Sequence, residues 1–179
     1  MTAVRWATGA GAVVVLVGTG FWAMRPGQVD SRLWEEIRPV IEARLAAEQR
    51  GTGYGEEVPA LDAHWFCRAE PVGLERHGDE VRAGVDTLCV EYGLRDGHLV
   101  ECGGGHVPRV MRLARAADGR YRVVSHEQAP DGAGNASWTT SRFGRLGSAA
   151  LRDEMSSAPL ENAARARYGL RKDAPVGDC

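Results

Sequence analysis

The sequence predicts an α+β domain that follows an N-terminal hydrophobic segment. Three features of the chain support this prediction: an uncharged apolar run near the N-terminus, an amphipathic helical pattern after it, and a series of short apolar runs separated by hairpin turn signals. The chain has 179 residues, which is enough for one such domain and an appendage. We divide it into an N-terminal transmembrane anchor or signal segment, residues 1–29, and an extracytoplasmic α+β domain, residues 30–179.

The N-terminal segment contains an uncharged run of 19 residues, from Trp6 to Met24. At about 1.5 Å of rise per residue, a helix of this length just spans a hydrocarbon core of roughly 30 Å. The run ends at Arg25 without the small-x-small site at which a signal peptide is cleaved. We therefore expect a single-pass membrane anchor with the domain outside the cytoplasm. Two alternatives stay open: a cleaved signal peptide, which would make the protein secreted, and a buried core helix.

Composition and cysteine usage narrow the classes of function. The formal net charge is −2 and the arginines are scattered, so the chain lacks the basic patch of a nucleic-acid-binding protein. Four cysteines, an even number, follow the hydrophobic segment, as in proteins of oxidising compartments. None is spaced as C-x-x-C, which argues against a zinc knuckle or a thioredoxin-type motif. The sequence predicts no metal and no cofactor.

The domain begins with an amphipathic helix. Asp30 or Ser31 is a suitable N-cap, and apolar residues then recur at helical spacing. They are Trp34, Ile37, Ile41 and Leu45. Pro39 lies inside this pattern, and we expect it to kink the helix or restart it. The helix is predicted to end near Arg50, before a glycine-rich loop over residues 51–55.

An antiparallel β-meander is predicted after the helix. Its turns are signalled at residues 77–79, 96–97 and 118–119, each of which contains glycine and aspartate. The predicted strands cover residues 64–74, 80–92, 99–102 continued by 107–114, and 121–126. The glycine triplet 103–105 is interpreted as a strand break or bulge, because it lacks the Gly-Lys-Ser/Thr of a phosphate-binding loop.

The C-terminal third is predicted to contain little regular structure. Residues 129–141 are expected to form a long loop that carries Trp138. Two short helices are predicted, over residues 148–155 and 160–168, and Gly169 suits the position after a helix C-terminus. The tail up to Cys179 is expected to be irregular.

The first hairpin predicts a disulfide. If it closes around Gly78, then Cys67 faces Cys89 directly. Opposed residues on neighbouring strands have Cβ atoms roughly 4.5–5.5 Å apart, which is close to disulfide range. A Cys67–Cys89 bridge is therefore our first choice among the three possible pairings.

The second hairpin places the other cysteines. Counting pairs outward from its turn puts Cys102 opposite Glu91 and diagonal to Cys89. All three residues would then share one face of the sheet. Because Cys67 is the preferred partner of Cys89, we predict a second bridge between Cys102 and Cys179, which would tie down the C-terminal tail.

Two strand carboxylates are candidates for acid–base chemistry. In the predicted register Glu91 and Glu101 are near neighbours across the sheet. Paired carboxylates act as acid and base when their surroundings drive their pKa values apart. The alternative interpretation is that both are solvated residues paired with arginines.

Histidine and aromatic residues are further candidates. The histidines are His64, His77, His98, His106 and His126. His106 with Cys89 and Cys102 could bind a metal ion, but disulfide formation competes for both thiols. Trp65, Tyr92 and Trp138 could line a groove, or could pack as core aromatics.

Part of the chain, residues 61–143, resembles a set of exported proteins of actinobacteria and other Gram-positive bacteria. The matching segments are 64–67 (HWFC), 89–92 (CVEY), 107–108 (VP), 121–124 (YRVV) and 130–132 (PDG). The resemblance implies export and assigns no catalytic residue. The order of helix and meander over residues 31–145 also resembles cystatin-like and NTF2-like domains, and this likeness concerns fold alone.

From these features we expect a non-enzymatic, membrane-anchored binding or envelope-accessory domain. Its partner would be a protein or a small ligand outside the cytoplasm. The alternative is an extracytoplasmic hydrolase that uses Glu91 and Glu101 in a concave sheet pocket. A concave face that is apolar or sealed favours binding, and a deep pocket that contains Glu91 or Glu101 with polar partners favours catalysis.

Overall fold

A computed structural model describes residues 29–151 and 154–179 of the protein. These residues form an α+β fold in which one long helix precedes a mostly antiparallel sheet and two further helices. The predicted membrane span, residues 6–24, lies outside the described residues. Within the described part, no helix has the length and apolar character needed to cross a membrane.

The first helix, α1, covers Ser31–Gln49. Asp30 caps it as predicted, because its Oδ1 accepts hydrogen bonds from the backbone N–H groups of Arg32 and Leu33 at 3.0 and 3.1 Å. The four buried residues of α1 are Leu33, Ile37, Ile41 and Leu45. Their spacing of four selects Leu33 in place of the predicted Trp34. The helix continues through Pro39 as one element, so the expectation that proline restarts it is wrong.

Five strands form the sheet. Strands β1 to β4 cover His64–His77, Glu80–Arg95, His98–Arg115 and Tyr121–Gln128, and β5 covers Val176–Asp178. The first four make an antiparallel meander in chain order, and β5 pairs parallel to β3. The tight turn between β2 and β3 has positive φ at Asp96 and Gly97, as its sequence predicts. Residues 176–178 form β5, so the expectation of an irregular tail is wrong.

The pairing of β2 with β3 differs from the predicted register. Tyr92 lies opposite Glu101, but Glu91 lies opposite Gly103, so Cys102 is the extra residue of a β-bulge. The prediction that Cys102 faces Glu91 is therefore wrong. So is the predicted interruption at residues 103–105, because β3 runs through the glycines and the bulge comes one residue earlier.

Two helices follow the sheet. The second helix, α2, covers Asn135–Ala150 and the third, α3, covers Ala158–Arg167. The predictions of a loop over residues 129–141 and of a helix over 148–155 are wrong. The buried residues of α2 recur once per turn at Thr139, Phe143 and Gly147, and non-helical geometry at Gly144 divides the helix. Glycine, serine and threonine obscured this pattern in the sequence.

The helices cover both faces of the sheet. We call the side against α1 the α1 face; residues of β2 that point there include Val81, Ala83 and Val85. We call the other side the α2/α3 face, because Phe143 of α2 packs there against Val110 and residues of α3 pack against Val90 and Tyr92. Odd-numbered residues of β2 thus face α1, and even-numbered ones face α2 or α3.

Candidate functional site

A cavity of about 120 Å³ lies between the C-terminal end of α1 and the α1 face of the sheet. We call it the α1–sheet cavity. Trp65, Cys89 and Val107 supply apolar lining, and Gln49, Thr87 and Arg109 supply polar lining. Apolar walls with a few polar groups are typical of small-ligand sites.

Glycine at position 105 keeps this cavity open. Gly105 lies opposite Cys89 and lines the cavity. A Cβ atom built on it would meet no heavy atom within 4 Å, and the same holds for Gly103. Neither residue has a positive φ. The absence of a side chain at Gly105 therefore provides space, and the backbone conformation does not require glycine.

The glycine segment also lies in a gap along the edge of the sheet. On that edge β4 pairs with β3 only from Arg109 onward, and β5 pairs with residues 99–101. Gly105 is exposed. The cavity is therefore accessible from this edge among the described residues.

Arg109 is the principal polar group of the cavity. Only 6% of the residue is exposed, and its Nη1 donates a hydrogen bond to Oε2 of Glu48 at 3.2 Å. Its Nε is buried and has no hydrogen-bond partner among the described residues. Burial lowers the pKa of Arg109, and the neighbouring Glu48 carboxylate opposes that shift. The guanidinium thus keeps a free donor in a desolvated place.

Glu48 joins α1 to the sheet beside the cavity. Its carboxylate lies 2.6 Å from Nε of Arg44, 3.2 Å from Nη1 of Arg109 and 3.3 Å from Nδ1 of His126. One carboxylate therefore serves two guanidinium groups and one imidazole. The two guanidinium groups thus outnumber the carboxylate that they share.

Trp65 is the only member of the predicted aromatic groove that lines the cavity. Its indole Nε1 donates to Oε2 of Glu56 at 3.3 Å, which orients the ring. Tyr92 is fully buried in the core on the α2/α3 face, and Trp138 packs edge-on against Phe143. The structure does not bring the three aromatic residues together.

Glu91 and Glu101 do not meet either. Glu91 is fully buried, and its carboxylate accepts hydrogen bonds from the backbone N–H groups of Gly55 and Glu56 at 2.9 and 2.8 Å. It thereby caps a short 3₁₀ helix, Gly55–Glu57. Glu101 lies opposite Tyr92, and so on the α2/α3 face. The predicted acid–base pair is wrong because neighbouring residues of a strand point to opposite faces, so Glu91 and the residue opposite Tyr92 cannot share a site.

Burial raises the pKa of Glu101, and nearby negative charges add to the shift. These charges belong to Glu161 and Asp178. The residue is largely exposed, so its carboxyl does not sit in a closed site.

Both predicted disulfides are present. Cys67 is bonded to Cys89 and Cys102 to Cys179. Two such bonds fit a location outside the cytoplasm. Because Cys89 and Cys102 are both bonded, neither thiol can join His106 at a metal ion. The described residues contain no cluster of three or more metal-ligating side chains.

His106 instead lies beside a buried carboxyl on the α2/α3 face. Its Nε2 is 2.7 Å from Oδ1 of Asp86. Burial raises the pKa of Asp86, and His106 opposes that shift. This pair was not predicted. Asp86 lies on β2 and His106 on β3, and the observed strand register brings them together.

The other histidines lie elsewhere. His77 and His98 are exposed at the hairpin ends. His64 lies 3.3 Å from a carboxylate oxygen of Asp62 and stacks against Tyr168. His64 also contacts the guanidinium of Arg167, and the hydroxyl of Tyr168 donates to the backbone carbonyl of Asp62, so these residues form a second polar cluster near the start of β1.

No protein-family model, curated protein or solved structure matches the chain. The function is therefore inferred from the geometry of the α1–sheet cavity.

Sequence reasoning missed the polar lining of this cavity. Arg109 and Gly105 have the same parity on β3 and therefore share the α1 face. Glycines followed by an arginine on a core-facing register were the available signal. That signal became visible only once the continuous strand was known.

Proposed function

We propose that the protein is a non-enzymatic extracytoplasmic binding domain, anchored to the membrane through residues 1–29, and that its α1–sheet cavity holds a small ligand. The observation that carries the proposal is a cavity of about 120 Å³ beside a buried guanidinium. An apolar cavity of about 150 Å³ binds benzene, so the volume suits a ligand of similar size.

The roles of the strand carboxylates support binding over hydrolysis. Glu91 is occupied by two backbone N–H groups, and Glu101 lies on the other face of the sheet. An acid–base pair needs two carboxyl groups at one substrate. Neither of them lines the cavity.

The proposed location is supported by the two disulfides, by the hydrophobic N-terminal run and by the resemblance to exported proteins. A reporter that is active only outside the cytoplasm, fused after Cys179, should be active. A reporter that works only in the cytoplasm should be silent at the same position. The reverse pattern would contradict the topology.

Binding is tested by filling the cavity. We expect Gly105→Val to place a branched side chain in the α1–sheet cavity and to abolish binding of benzene-sized ligands. Gly103→Val is the matched control, because position 103 has the same free space but does not line the cavity. Isothermal titration calorimetry of the full chain in lipid nanodiscs, with a panel of one-ring compounds, provides the measurement. Equal binding by wild type and Gly105→Val, or no binding by wild type, would refute the proposal.

A further inference from the structure

We propose that the ligand of the α1–sheet cavity is a small monocarboxylate with an apolar body, and that Arg109 recognises its carboxylate. This inference rests on the proposed function and names the chemical class of the ligand. It combines three properties of the cavity: the free donor edge of a guanidinium, the local charge, and the apolar wall.

The guanidinium of Arg109 bonds to Glu48 through one edge, and its other edge is left for a ligand. Nη1 bonds to the Glu48 carboxylate, whereas the buried Nε has no partner among the described residues. In an arginine side chain, the N–H of Nε and one N–H of Nη2 point in parallel from the same edge. This pair of donors matches the two oxygens of a carboxylate.

Burial makes that donor edge selective. A buried N–H without an acceptor is unfavourable, and a ligand oxygen placed on it removes the penalty. A neutral ligand of the same shape satisfies the donor less well, and an ammonium group leaves it unsatisfied and adds repulsion. Arg44 and Arg109 share the carboxylate of Glu48, so two guanidinium groups face one carboxylate and an added anion is favoured there.

The remaining lining selects against small inorganic anions. Trp65, Val107 and the bonded Cys89 form an apolar wall next to the guanidinium. A ligand with a ring or a short branched chain buries apolar surface on this wall and gains affinity from it. Inorganic phosphate supplies charge but no such surface.

The inference is tested with four probes: benzoate, benzyl alcohol and benzylamine, which have similar sizes, and inorganic phosphate. The full chain is held in lipid nanodiscs and titrated by calorimetry. We expect benzoate to bind about tenfold to a hundredfold more tightly than benzyl alcohol, which corresponds to a charge-assisted hydrogen-bonded pair. Benzylamine and phosphate should bind more weakly than benzoate by at least the same factor.

A substitution separates the donor edge from the charge. Arg109→Lys retains a cation but removes Nε and the planar fork. It should weaken benzoate binding by about tenfold or more and leave benzyl alcohol binding unchanged. Arg44→Lys is the matched control, because Arg44 also bonds Glu48 but does not line the cavity, and its effect should be less than about threefold.

The outcomes distinguish this inference from the proposed function. If benzoate and benzyl alcohol bind equally and Gly105→Val abolishes both, the carboxylate inference is overturned and the binding function remains. If phosphate binds as tightly as benzoate, the monocarboxylate class is overturned. If none of the probes binds, both proposals fail. The comparison of probes on wild-type protein needs no variant, so it remains decisive even if Arg109→Lys does not fold.

Discussion

Replacing Glu91 with glutamine tests the role that the structure assigns to the most buried carboxylate of the sheet. In the wild type its two oxygens accept the backbone N–H groups of Gly55 and Glu56. Gly53 packs so closely that a Cβ on it would lie 2.3 Å from the carboxyl group. Glutamine keeps one acceptor but places an NH₂ group where the second N–H donates, and there is no room for water to bridge them.

The expected cost of Glu91→Gln follows from the hydrogen bond that it breaks. A hydrogen bond to a charged acceptor contributes about 1.5–3 kcal/mol, and a buried donor left without a partner costs about 1–3 kcal/mol. We therefore expect the substitution to lower the free energy of unfolding by about 3 kcal/mol. For a domain of this size, that corresponds to a fall in Tm of roughly 6–12 °C.

Urea unfolding followed by circular dichroism measures the change, and limited proteolysis reports on the loop over residues 51–63. Glu101→Gln is the control, because Glu101 lies on the other face and is exposed. Its change should stay within about 0.5 kcal/mol. If Glu91→Gln were as stable as Glu101→Gln and its loop no more sensitive to protease, Glu91 would not hold this loop to the sheet.

Three further predictions concern the covalent structure, a buried carboxyl and a close glycine. Replacing Cys102 and Cys179 with serine opens a link of sequence separation 77 and should cost about 4–5 kcal/mol by loop-closure entropy; urea unfolding that shows a cost under about 1 kcal/mol would contradict this. The raised pKa of Asp86 means that its contribution to stability is present below its ordinary value of 3.8 and is lost as pH rises through the folded-state pKa. Asp86→Asn should therefore gain stability relative to wild type as pH is raised from about 3 towards about 7 in unfolding measurements, and a relative loss would show that the sign is wrong. Gly53→Ala places a Cβ against a buried carboxyl group and should destabilise by about 1–3 kcal/mol, whereas Gly103→Ala, which meets nothing within 4 Å, should lower Tm by no more than about 2 °C.

Local patterns in the sequence determined much of the domain. The Asp30 cap, the buried face of α1, the turn at Asp96-Gly97 and the helix stop at Gly169 each depend on residues within a few positions of one another. These features were predictable because a short segment contains all the groups that produce them. The Cys67–Cys89 bridge needed more than the turn: a register shift between Pro71 and Gly73 brings Cys67 opposite Cys89, whereas the register beside the turn would place it opposite Val90.

The tertiary structure decided which residues of distant segments lie opposite one another. The bulge at Cys102 shifts the register of β3, which moves the pairing of Glu91 to Gly103. No count of residues from the turn reveals that shift, because the bulge is an extra residue on one strand only. The separation of Glu91 from Glu101 has another cause: Glu101 lies opposite Tyr92 in the predicted and the observed register alike, and the alternation of side chains puts Tyr92 and Glu91 on opposite faces.

The candidate site lay beyond sequence reasoning for the same physical reason. Gly105 is next to Cys89 through strand pairing, and Arg109 is next to Glu48 through the packing of α1 on the sheet. Each of these contacts joins residues that are far apart in the chain. The sequence by itself determined the first helix and the hairpin turns, whereas the registers that bring the cysteines together depend on bulges in the strands. Packing of the completed elements decided the rest. It leaves space at Gly105, and it buries Nε of Arg109 without a partner among the described residues.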